Sequence, residues 1–122
     1  MPFEVGYVSQ DLFFPMRVKQ LVAAKNGSFR LGADVTTLIA RVEQPSDLPL
    51  VLLDLTLPQL DVVAAARELR NAFPNAKIIG YGPHVDTQLL AAAADAIDEV
   101  MPRSKYDHVV GELIEHAANQ ST

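Results

Sequence analysis

The chain has no cysteine. That excludes a disulfide framework and thiolate metal sites, and it suits a reducing cytoplasm. Lysine and arginine form no cluster, and the formal net charge is −5 with a sequence pI near 5.0. Electrostatic attraction to nucleic acid or to an anionic membrane has no source in such a chain, so neither partner is expected. No apolar run approaches the roughly 18 residues of a membrane span. Met1-Pro2-Phe3-Glu4 lacks the charged leader and apolar core of a signal peptide. A soluble, cytoplasmic protein is expected. Ser9 to Pro15 contains no glycine, so no Gly-rich phosphate loop argues for a nucleotide or flavin. There is no Gly-x-Ser-x-Gly elbow, and His84, His108 and His116 lack a matched nucleophile. Enzymatic activity is not expected.

What is there is a regular alternation of strand-like and helix-like patterns over 122 residues, a length that fits one domain spanning 1–122. A chain of this size buries ~65–70% of its unfolded surface without help from a metal or a disulfide. Phe3 to Val8 reads as a strand. Pro15 to Lys25 reads as a helix, with Pro15 in its first turn and Asn26-Gly27 as its stop. Ser28 to Leu31 reads as a short second strand. Val35, Leu38, Ile39 and Val42 keep helical spacing. Leu50 to Leu55 is apolar on both faces, as in a parallel sheet covered on both sides.

A third helix is expected from Gln59 to Ala72, with Val62, Ala66, Leu69 and Phe73 facing the core. Lys77 to Gly82 is a fourth strand. A fourth helix capped by Asp86 carries Leu89, Leu90, Ala93 and Ile97 inward. Glu99 to Met101 is a fifth strand. Ser104 is placed to cap a last helix with Tyr106, Val109, Val110, Leu113, Ile114 and Ala117 on one stripe, and residues 118–122 read as a frayed tail. Five βα units imply an α/β, flavodoxin-like, doubly wound parallel sheet of order 2-1-3-4-5 with helices on both faces. Right-handed crossovers then set the ends of strands one and three side by side. Ser9, Gln10 and Asp11 should therefore face Asp54, the last residue of the hydrophobic run Leu50-Val51-Leu52-Leu53-Asp54. A carboxylate at such a strand end is either a reacting group or a cap for the following loop.

The run Asp54-Leu55-Thr56-Leu57-Pro58-Gln59-Leu60-Asp61 resembles the phosphoacceptor motif of bacterial response-regulator receiver domains. The resemblance extends over almost the whole chain. It implies Asp54 as candidate phosphoacceptor, and Mg²⁺ held by Asp11, Asp54 and the backbone carbonyl of Thr56. Three positions depart from the family. Receivers have paired acids after strand one, whereas Ser9-Gln10-Asp11 offers one, so Mg²⁺ affinity is expected to be lowered or lost. Asp11 has helix capping as its other role. Gly82 stands where receivers carry a hydroxyl that contacts the phosphoryl group, and a φ > 0 turn before Pro83 is its alternative use. Receivers follow strand five with Lys-Pro. Here Pro102 takes the lysine's place and Arg103 lies one position beyond, either reaching the acidic pocket or lying on the surface. Glu99 replaces a mobile aromatic, and His84 is a further candidate near the site.

The resemblance therefore implies an atypical receiver, or pseudo-receiver. It would be a stand-alone signalling module of a two-component phosphorelay that acts mainly by protein–protein interaction. A sensor kinase or downstream effector is the implied partner, and a homodimer through the fourth helix, fifth strand and fifth helix is what family habit adds. The alternative is a working Mg²⁺-dependent receiver phosphorylated on Asp54.

Overall fold

The structure, a computed structural model, describes residues 3–44, 46–83 and 87–120. Strands and helices alternate as β1 (Glu4–Val8), α1 (Phe13–Ala24), β2 (Ser28–Gly32), α2 (Val35–Arg41), β3 (Leu50–Asp54), α3 (Val62–Ala72), β4 (Lys77–Gly82), α4 (Thr87–Ala94), β5 (Glu99–Pro102) and α5 (Arg103–Gln120). All four strand pairs are parallel, and the order is β2-β1-β3-β4-β5. This is the doubly wound, flavodoxin-like sheet that the alternation of patterns implied. β3 lies in the centre and is buried along its whole length.

Side chains alternate across a strand, so each face builds its own core. On one face Val8, Val51, Leu53 and Ile78 pack with Leu38 of α2, Leu69 and Phe73 at the end of α3, and Ala93 of α4. On the other, Val5, Tyr7, Leu50, Leu52, Ile79 and Tyr81 pack with Val18 and Val22 of α1 and with Tyr106, Val110 and Ile114 of α5. Asp54 continues the alternation of Leu50 and Leu52, so it belongs to the second face, the one that carries the tyrosines.

Helix boundaries follow local hydrogen bonds that periodicity does not encode. α1 begins at Phe13, before Pro15, because the Asp11 carboxylate accepts from the Phe13 N–H at 3.0 Å. It closes on Asn26, whose φ of 62° is left-handed. Gly27 is needed for space, since a Cβ there would meet the Phe3 ring at 2.6 Å. Asp34 caps α2 by accepting from the Thr37 N–H at 2.7 Å, and that bond holds its carboxyl below the usual carboxylate range.

α3 starts at Val62 and not at Gln59. Gln59 sits at φ 60°, and Asp61 accepts from the Ala64 N–H at 3.1 Å as the cap. α5 follows β5 without a loop, so Ser104 lies inside its first turn instead of capping it. The helix continues through Ala118, Asn119 and Gln120, the stretch read from sequence as the start of a tail, and Ala118 packs against the core. Asp86 and His84 lie outside the described residues.

Candidate functional site

Asp54 ends β3 level with Tyr81 of β4, and Tyr81 in turn is level with Met101 of β5. β1 delivers Ser9 to the same end of the sheet, where the Ser9 N–H bonds the Gly32 carbonyl at 3.1 Å. Ser9 and Asp54 are the buried polar residues of the core, exposed by only 2% and 3%. The Ser9 hydroxyl donates to Asp54 Oδ2 at 2.9 Å. Oδ1 accepts from the Thr56 N–H at 2.9 Å and from the Thr56 hydroxyl at 2.6 Å. Both carboxylate oxygens are thus held by protein donors, three in all.

Asp11 is close, but its carboxylate does not join Asp54. Its N–H donates to Ser9 Oγ at 3.0 Å while its side chain turns to the start of α1. Gln10 is exposed, and its amide leans towards the Ala33 carbonyl at 3.5 Å. A cavity of about 230 Å³ opens at this end of the sheet, walled by Gln10, Asp34, Pro58, Gln59 and Asp61 among others, but not by Asp54. Mg²⁺ needs several oxygen ligands in near-octahedral array, usually with one or two free carboxylates. Here Asp54 accepts three hydrogen bonds from hydroxyl and amide donors, and Asp11 is engaged at a helix start. No group of three acidic, histidine or cysteine side chains suited to a metal occurs among the described residues. Two of the three groups that the resemblance assigns to Mg²⁺, the Asp11 and Asp54 carboxylates, are thus engaged with protein donors.

Gly82 closes β4 opposite Pro102. The φ > 0 turn considered for it is absent, since no described glycine has positive φ. A Cβ at Gly82 would find its nearest neighbour, Leu90, at 3.4 Å, so a small side chain fits there, yet the position offers no hydroxyl. Arg103 makes no ion pair with Asp54 among the described residues. Its guanidinium carbon lies 5.1 Å from the centre of the Phe14 ring and 6.0 Å from that of Tyr81. Its Nε is buried without a partner. Glu99 pairs with Lys77 at 3.3 Å. His108 is exposed, and His116 lies 3.1 Å from the amide of Gln120.

A feature absent from the sequence reading is a chain of tyrosine hydroxyls. Tyr106 donates to Tyr7 at 3.0 Å, and Tyr7 donates to Tyr81 at 2.8 Å. The Tyr81 and Tyr106 rings stack at 4.2 Å, and all three residues are fully buried. Burial pushes all three hydroxyls well above the ordinary tyrosine value, and the negative charge of Asp54 adds to this in each. The carboxylate therefore sits beside groups that remain neutral. Tyr7 is the middle member, so Tyr7→Phe strands the Tyr106 donor and removes the donor to Tyr81. A loss of about 1–3 kcal/mol is expected in urea unfolding, against a smaller loss for Tyr106→Phe, which leaves both remaining hydroxyls bonded to each other. Equal, negligible losses would mean that the chain contributes nothing.

The fold and the carboxylate at its rim define a class: the chain has the fold of response-regulator receiver domains. A response-regulator receiver domain from Clostridium thermocellum superimposes with a TM-score of 0.73 at 16% identity, over 98% of this chain and 96% of that one. A response regulator from Thermotoga maritima gives 0.75 at 14% identity, over 98% and 99%. An uncharacterised protein from Neptuniibacter caesariensis gives 0.78 at 13% identity, over 96% and 87%. No protein-family model matches the chain, and no curated protein matches it by sequence. No helix among the described residues is long and apolar enough to cross a membrane.

Proposed function

We propose that the chain is a receiver-like signalling module with a degenerate phosphorylation site, working in the cytoplasm by protein–protein recognition and not by catalysis. The observation that carries this reading is the state of Asp54: 3% exposed, with both oxygens occupied by Ser9 and Thr56. Phosphoryl transfer relies on positioning and on cations that neutralise developing charge. Around Asp54 the strand-five residue at its level is the buried thioether of Met101, Gly82 supplies no hydroxyl, and the charge of Arg103 is directed at ring faces.

The surface proposed for recognition, by a sensor kinase, an effector or a second copy, is that of α4, β5 and α5. Ala91, Ala92 and Ala94 of α4 are exposed while Ala93 is buried, so small side chains line the outward half of that helix. Incubation with a small phosphodonor and Mg²⁺, followed by intact mass, tests the reading. No phosphorylated species is expected. A gain of one phosphoryl group that disappears in Asp54→Asn would establish the working-receiver alternative instead.

A further inference from the structure

Arg103 is placed against its own electrostatic interest. Arg17, Arg30, Arg70 and Lys77 each face a carboxylate. Arg103 faces none among the described residues, although it is half-buried and its Nε is closed off from water. It also opens an 18-residue helix, at the end where the helix dipole disfavours a cation. No acid lies in that first turn, and Lys105 adds a second positive charge there. The Phe14 and Tyr81 rings fix the guanidinium from its side, and ring faces attract the charge without accepting the in-plane N–H groups. The result is a cation held in place whose Nε–H has no acceptor among the described residues.

Arg103 borders a cavity of about 360 Å³, walled also by Phe14, Pro83, Ser104 and Asp107. Among the described residues Asp107 is the acid in the wall, and it is paired with Arg17. The exposed Ser104 brings a hydroxyl at the start of α5, the end of a helix that favours an anion. We propose that this cavity binds an oxyanion of the phosphate class, gripped by Arg103 and assisted by Ser104. A planar guanidinium meets two oxygens of such an anion at once. The anion supplies a partner that Arg103 has none of among the described residues, and it offsets the positive end of α5. The site is separate from the Asp54 carboxylate and requires no covalent step.

Nitrogen-15 NMR of the arginine Nε–H groups and backbone amides reads this directly. Inorganic phosphate should shift the Arg103 Nε–H and Ser104 amide signals saturably, and chloride at matched ionic strength should not. Glycerol phosphate in a parallel titration separates an organic ester from the free ion: tighter binding identifies an ester as the ligand, and equal or weaker binding the free ion. The shifts should persist in Asp54→Asn, which separates this site from the phosphoacceptor question. Arg103→Gln should weaken binding at least tenfold, and Arg103→Lys, which keeps the charge but not the fork, should weaken it less. Absence of saturation in the unmutated protein, an equal response to chloride, or undiminished binding in Arg103→Gln would overturn the proposal. The titration of the unmutated protein decides the matter even where a variant fails to fold.

Discussion

Raising the pH above about 10 is expected to unfold the protein in one step, in which every tyrosine ionises together. The chain has 3 tyrosines, and all of them belong to the buried hydroxyl chain Tyr106–Tyr7–Tyr81. Burial raises each folded-state value far above the unfolded one. The neutral hydroxyls therefore contribute stability that is complete below the unfolded value of about 10 and is lost as pH rises beyond it. The folded state holds its protons while the unfolded state releases them. Each tyrosine then costs about 1.4 kcal/mol per pH unit, so the three together cost about 4. A domain with 5–15 kcal/mol in hand is exhausted within a few pH units. Tyrosinate absorbance should stay flat and then rise cooperatively, coincident with loss of far-ultraviolet circular dichroism. A gradual rise near pH 10 in a protein that remains folded would show that the hydroxyls are not buried as described.

The second large effect is expected from Phe73→Ala. Phe73 has no exposed surface and packs in the cluster that joins α2, α3 and α4 to the sheet. Its backbone ends α3 by donating to the Leu69 carbonyl at 2.8 Å and accepting from the Ala76 N–H at 3.0 Å. Alanine keeps both bonds, so the substitution isolates the side chain. Deleting a buried phenyl costs about 3–5 kcal/mol in transfer and cavity terms, a large share of the stability of such a domain. Urea unfolding should show a much lower midpoint with an unchanged slope. Leu12→Ala supplies the contrast. Leu12 is 79% exposed, and its truncation should lie within about 0.5 kcal/mol of the parent. A loss below about 1 kcal/mol for Phe73→Ala would mean that this face of the sheet is loosely packed.

The sheet was legible in the sequence because its signal is local. Runs such as Leu50 to Leu53 and Ile78-Ile79, separated by helical stripes, have few topological solutions, and the order 2-1-3-4-5 follows. Asp54 was legible for the same reason, as a polar residue closing an apolar run. The helix starts were less so. Leu60 and Val62 sustain an apolar pattern across Gln59, and only the left-handed turn at Gln59 shows that α3 has not begun. Asp34-x-x-Thr37 carries the cap of α2 in its spacing.

The tyrosine chain joins residues 74 and 99 positions apart, so no spacing reveals it. The available clue was strand parity: β1 and β4 flank β3, and Tyr7 and Tyr81 fall on the same face as Asp54. Arg103 was legible as a cation near the pocket. Its preference for Phe14 and Tyr81 over a carboxylate depends on where α1 and α5 bring those rings together.

On the function proposed above, Asp54 is a hydrogen-bonded structural carboxylate in a receiver fold and not a poised phosphoacceptor. Amide NMR in the presence of Mg²⁺ and beryllofluoride, a stable phosphoryl mimic, tests this without relying on the reactivity of any donor. The signals of Ser9, Asp54 and Thr56 should remain where they are in the free protein. Stoichiometric, saturable shifts at those residues, spreading to α4 and α5 and abolished by Asp54→Asn, would contradict it.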